Sequence, residues 1–266
     1  MGTYRKCHIY FLQAIMNRGS FSETDCEKAC AECCRLSDVD FSGDVQNFIR
    51  IINEKIHVFH LKIREGKRED NGEMMYILAS QVESDLNRLV VGGDFTRGEL
   101  EFFRRILELI VHSDTPPDVG TISSVDVLNM ADSLNPKITK ADAKKLLSRY
   151  VDDGWFFDKN GVISMSPRTI VELELYLTEA FHGLLHNCNM CSLIVFQGKC
   201  CLNCSVRMHH FCAHRYFAGM DRPKCMSCGS LWNAESDIVT VFDNDDASEA
   251  QTNQRSFRSR KRPRIN

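Results

Sequence analysis

The chain has 266 residues, 43% hydrophobic and 26% charged, with a formal net charge of −3, which leaves room for two or three modest domains and excludes a globally basic nucleic-acid binder. No apolar run approaches the roughly 18 residues of a membrane span, and "MGTYRKCHIYFLQAIMNRG" is too interrupted by charge for a signal peptide. The expected compartment is the cytosol or nucleus, where thiols stay reduced, so thirteen cysteines point to metal rather than disulfides.

In chain order, "RKCHIYFLQAIMNRG" sets Ile9, Leu12, Ile15 and Met16 at helical spacing and ends at Gly19. "SETDCEKACAECCRLS" opens with Ser22-x-x-Asp25, a pattern like a capping box. "DVQNFIRIINEKIHVF" carries Phe48, Ile51, Ile52, Ile56 and Phe59 as a third amphipathic helix. "HLKIREGKREDNGEMMYILAS" then reads as two strands around a charged Asn71-Gly72 turn. Three helices and a hairpin are the element order of a winged helix.

That order recurs without obvious sequence repetition. "FTRGELEFFRRILELIVHS" starts at a Thr96-x-x-Glu99 capping box, and "SSVDVLNMADSL" and "TKADAKKLLSRYVDDGWF" supply a second and third helix. "WFFDKNGVISMS" is a hairpin with Asn160-Gly161 at its turn. Ser166-Pro167 is an N-cap and N1 pair for one helix over "RTIVELELYLTEAF". The expected divisions are a winged helix over 1–92, a second with a linking helix over 93–183, a zinc module over 184–233 and a tail over 234–266. The tail is acidic in "FDNDDASEAQ" and basic in "TNQRSFRSRKRPRIN", with no apolar pattern, and reads as disordered. Its basic end suits a nuclear localisation signal or a nonspecific DNA phosphate contact.

Lys140, Lys144, Lys145 and Arg149 line one side of the second module's third helix, but Asp142, Asp152 and Asp153 sit among them. A solvated face is the reading there, and winged helices of weak basic character commonly dock proteins. Cys26-x3-Cys30-x2-Cys33 matches the spacing of a radical-SAM cluster site. However, "EKACAE" favours helix and puts the three thiols on one face, so they read as small apolar core residues.

The late cysteines are different. Their spacing is Cys188-x2-Cys191-x9-Cys201-x2-Cys204-x4-His209-x2-Cys212-x12-Cys225-x2-Cys228. A two-residue gap lets a tight turn aim two ligands at one ion, and four such half-sites complete two tetrahedral zinc sites. Cys200 and His210 break the two-residue gap and read as spectators; His186 and His214 fit no half-site.

This ligand order resembles the RING and PHD fingers, whose cross-braced arrangement implies one zinc on Cys188, Cys191, His209 and Cys212 and another on Cys201, Cys204, Cys225 and Cys228. The aromatic that PHD fingers carry two residues before the seventh ligand is Pro223 here. RING fingers that recruit a ubiquitin-conjugating enzyme (an E2) usually show an apolar residue before the second ligand, where Met190 stands. They often place an aromatic past the sixth, where Tyr216 and Phe217 stand. Met226 replaces the usual proline of the last CxxC, and Gly229 a frequent basic residue. The expected fold is therefore mainly α with small β hairpins: tandem winged helices followed by a cross-braced two-zinc RING-like finger.

With "CNMCSLIVFQGKCCLNCSVRMHHFCAHRYF" and "KCMSCGSLW", nearly the whole chain resembles the RING-variant non-SMC element of the SMC five/six chromosome-maintenance complex. Val206-Arg207-Met208-His209 and Tyr216-Phe217 are the most specific part of the match. The resemblance implies a nuclear, chromosomal subunit paired with a MAGE-family protein through its winged helices and associated with a kleisin. It also implies DNA repair by homologous recombination and partner-supported ubiquitin ligase activity. Met190 and Tyr216 are then the expected E2 contacts, with no acid–base catalytic residue. The competing classes are a zinc-stabilised scaffold without transfer activity and a PHD-like reader of histone tails.

Overall fold

The computed structural model describes residues 3–82, 95–113 and 119–232. The acidic and basic stretches expected to form a disordered tail lie outside the described residues. No helix among the described residues is long and apolar enough to cross a membrane.

The first module runs α1 (Lys6–Arg18), β1 (Ser20–Ser22), α2 (Glu23–Arg35), α3 (Val45–Ile56), β2 (Leu61–Lys67) and β3 (Met74–Ser80). The second repeats the order with α4 (Arg97–His112), β4 (Thr121–Ser123), α5 (Ser124–Met130), α6 (Lys140–Asp152), β5 (Phe156–Lys159) and β6 (Val162–Met165). Each has a three-stranded antiparallel sheet with its last strand in the middle, β1-β3-β2 and β4-β6-β5. These are two winged helices in tandem. The short strands β1 and β4 are not among the expected elements, because three residues carry too little alternation to register as a strand. Their last residues double as helix caps: Ser22 Oγ accepts from the Asp25 amide at 3.2 Å and Ser123 Oγ from the Asp126 amide at 3.1 Å. Thr96 and Glu99 close the full capping box expected of them.

Burial explains the helix order. In α1 the buried face is Cys7, His8, Phe11 and Ile15. Ile9 and Met16, expected inside, are exposed, because His8 stacks on Phe48 at 4.4 Å and turns the helix onto that face. Phe59 is likewise exposed: a 3-10 turn and the left-handed His60 (φ 56°) carry the chain off the axis of α3. Cys7, Cys26, Cys30, Cys33 and Cys34 all lie in the first core beside Phe11, Ile15 and Ile52. The Cys30 thiol is pushed well up by its hydrogen bond to Cys26 and by burial, so it stays protonated and packs as a small apolar group. In the second core Phe103 meets Tyr150, Trp155 and Phe156 at ring separations of 5.0–5.6 Å, and the Tyr150 hydroxyl donates to the Glu99 carbonyl at 2.6 Å. Three of the four basic residues on α6 have carboxylate neighbours, Lys145 with Asp142, Lys140 with Asp132 and Arg149 with Asp153.

The single helix expected after Ser166 is two, α7 (Pro167–Glu172) and α8 (Glu174–Ala180), broken at Leu173 (φ −98°, ψ 12°). The bend lets Leu173 and Leu177 both bury fully in the second core while α7 packs on β2 and β3. Arg64 of β2 fastens that contact, pairing with Glu174 at 2.6 Å and donating to the Val171 carbonyl at 3.3 Å.

Candidate metal centre

The finger contributes two small hairpins, β7 (His186–Asn187) with β8 (Ile194–Val195) and β9 (Lys199–Cys200) with β10 (Arg207–Met208), and one helix, α9 (His210–Phe217). Three CxxC pairs fold into the same knuckle. In each, the first cysteine's carbonyl accepts from the amide four residues on: Ser192 to Cys188 and Ser205 to Cys201 at 2.8 Å, Gly229 to Cys225 at 3.0 Å. The residue closing each knuckle is left-handed, with φ of 62° at Ser192, 58° at Ser205 and 71° at Gly229. Gly229 thus sits where the backbone itself favours glycine. The fourth half-site is different: His209 caps α9 and Cys212 lies in its first turn.

These half-sites interleave. Cys188, Cys191, His209 and Cys212 form one group and Cys201, Cys204, Cys225 and Cys228 another, the ligand atoms of each lying within 4.8 Å of one another. Zinc–sulfur bonds of about 2.3 Å at tetrahedral angles put sulfurs about 3.8 Å apart. Cys201 and Cys228 are 3.7 Å apart and Cys204 and Cys225 3.6 Å. In the first group His209 Nδ1 is 3.4 Å from the Cys191 sulfur and 3.9 Å from that of Cys212. All these thiols are free. Cys200, on β9, and His210, opening α9, fall outside both groups, as do His186 and His214.

The electrostatics of the thiols also suit a cation. Against its own burial, Cys188 is lowered to about 5 by hydrogen bonds from His209 and the Cys191 and Met190 amides. Burial and the repulsion of Cys188 and Cys191 push Cys212 up to about 12. The second group repeats this: Ser230 and Asn203 hydrogen bonds lower Cys228 to about 5. Cys204, despite the Val206 amide, rises to about 12 through desolvation and its thiol neighbours. In each group some thiols are lowered, Cys188 in one and Cys201 and Cys228 in the other, while close neighbours, Cys191 and Cys212 or Cys204, are raised. A divalent ion removes that conflict by deprotonating its ligands outright. Two groups of four ligands fit a two-zinc RING-like finger, with structural sites closed to solvent ligands.

Met190 lies between the first two ligands and Tyr216 near the end of α9. Both are half-buried against the finger's core, and Tyr216 meets Phe217 edge-on at 5.1 Å. Two residues with no motif of their own join the finger to the winged helices. Phe196, beyond β8, is 7% exposed and belongs to the second module's core. A Cβ on Gly120 (φ 69°) would lie 2.7 Å from the Phe196 carbonyl group, so only glycine permits this approach. Glu69, in the β2–β3 turn, is buried, and its carboxylate accepts from the Phe196 amide at 2.8 Å and the Gln197 amide at 3.2 Å. Burial pushes the Glu69 carboxyl up to about 7, although His209 and the two amides pull it down. No sequence signal marks either residue: Phe196 stands among the finger's own apolar residues, and Glu69 stands in a run of charges.

The family described as Nse1 non-SMC component of SMC5-6 complex matches residues 8–173, and a RING-like domain family matches 188–228. The non-structural maintenance of chromosomes element 1 homolog of Homo sapiens is 32% identical over 265 residues, covering 98% of this chain and 97% of that protein. Its Bos taurus counterpart is 31% identical over 264 residues, covering 97% and 96%. Among solved structures, a chain of an Nse1-Nse3-Nse4 complex aligns with a TM-score of 0.78 at 31% identity, covering 87% of this chain and 98% of that one.

Proposed function

Because this chain belongs to the Nse1 family of non-SMC components of the SMC5-6 complex, we propose that it is that complex's RING-type ubiquitin ligase subunit. It acts in DNA repair by homologous recombination and in chromosome maintenance, in the nucleus. Its winged helices pair with a MAGE-family subunit, and a kleisin subunit joins them. The observation that supports the ligase reading is the interleaving of four half-sites into two four-ligand groups. Cys188, Cys191, His209 and Cys212 would hold one zinc, and Cys201, Cys204, Cys225 and Cys228 the other.

Such a finger supplies no nucleophile and no proton donor. The eight ligands would hold zinc, which would fix the knuckles, and the knuckles present Met190 and Tyr216 to a thioester-charged conjugating enzyme. The rate gain is one of positioning. The test is ubiquitin-chain formation by the purified chain, with and without its MAGE partner, across a panel of conjugating enzymes. Chain formation that rises with the partner is the expected result. Silence throughout, with the partner still bound, leaves the second reading, a zinc-stabilised scaffold. The insertion of Phe196 into the second winged helix favours that alternative, since it makes the finger part of the fold.

A further inference from the structure

The turn between β2 and β3 is wedged between the second winged helix and the finger. On one side Arg68 stacks over Phe157, with its guanidinium carbon 4.5 Å from the ring centroid. On the other Lys67 lies 5.4 Å from the centroid of Phe211, whose ring stacks on His209 at 5.0 Å. Between them Glu69 points inward, almost wholly shielded from solvent. A buried carboxylate is retained only where it is paired, and its partners are the amides of Phe196 and Gln197 and the ring of His209.

His209 uses its two nitrogens differently. Nδ1 faces the thiols of Cys191 and Cys212, while Nε2 donates to the Ile194 carbonyl at 3.0 Å and has Glu69 Oε1 at 3.6 Å. The second distance is too long for a hydrogen bond but close enough for a strong field. The two amides Glu69 holds follow directly on Val195, so the same carboxylate also fixes the segment carrying the Ile194 carbonyl. Partners of this kind orient a ligating imidazole, keep the proton on the remote nitrogen and raise the basicity of the metal-facing one.

We infer that Glu69 is a positioning residue for the His209 metal site, supplied by a wing 140 positions earlier in the chain (209 − 69). Zinc retention at that site is thereby coupled to the seating of the first winged helix. The four-cysteine site has its own local partner, the Ser230 hydroxyl, 3.6 Å from Cys201 and 2.9 Å from Cys228, and does not share the coupling. The inference rests on the two-zinc reading above.

The experiment uses the full chain loaded with cobalt, whose d–d bands distinguish a three-sulfur, one-nitrogen site from a four-sulfur site, titrated with a chelator. Glu69→Gln keeps one acceptor oxygen and removes the charge; Glu69→Ala removes both. In each, affinity at the three-sulfur site falls about 10- to 100-fold, while the four-sulfur site moves less than about twofold. A general loosening of the finger would weaken both sites alike, and that result overturns the inference. So does an unchanged three-sulfur site in both variants. If Glu69→Ala fails to fold, Glu69→Gln decides between these outcomes. A wild-type chain that holds only one metal strikes at the two-zinc reading itself, a different failure.

Discussion

Replacing Phe196 by alanine removes a ring that the finger lends to another domain. The residue is 7% exposed and belongs to the second winged helix's core, which also holds Phe103, Tyr150, Trp155 and Phe156. Truncating a buried phenylalanine loses its transfer free energy and leaves a cavity, together about 3–5 kcal/mol. The backbone amide that binds Glu69 is untouched, so the change isolates the apolar plug from the carboxylate contact. In urea, with a slope of about 2 kcal/mol/M, the unfolding midpoint of the full chain followed by circular dichroism falls by about 2 M. Both zinc ions remain bound below that midpoint, because every ligand is intact. A shift under about 0.5 M refutes the claim that the finger and the second winged helix share a core.

Two further predictions concern the metal. Mass spectrometry under native conditions finds two zinc ions per chain, and Cys200→Ser and His210→Ala each leave two; a loss on either change overturns the ligand assignment. Cys191→Ser or His209→Ala releases zinc and unfolds the finger, since roughly 10–16 kcal/mol of binding per structural zinc is folding free energy. Phe11, Ile52, Phe103 and Tyr150 stay in the winged-helix cores, the second of them weakened by the withdrawal of Phe196. Far-ultraviolet circular dichroism therefore retains most helical signal, and its collapse on loss of one ligand contradicts that division of the fold.

Much of this architecture was legible in the sequence because its signals are local. Ser22, Thr96 and Ser166 announce helix starts through side chains that reach only three residues ahead. Asn160 and Gly161 both need positive φ (54° and 83°) and declare the second hairpin. The metal half-sites are legible for the same reason, since a knuckle closes within five residues. What failed depends on distance. The face of α1 is set by Phe48, far along the chain, and the break at Leu173 by a core its own periodicity does not reveal. Glu69 in "KRED" carries the local signature of a solvated turn. It is buried because amides 127 and 128 positions away need an acceptor.

The most direct test of the ligase proposal is ubiquitin transfer by Met190→Ala and Tyr216→Ala chains, alone and combined, in complex with the MAGE partner. Both side chains are half-buried at the finger's surface, and neither supplies a ligand. Losing their contacts with a conjugating enzyme costs roughly 1–2 kcal/mol, about five- to thirtyfold in affinity. The expected result is that reduction in chain formation with both zinc ions and the partner retained. Undiminished transfer by a folded double variant contradicts it.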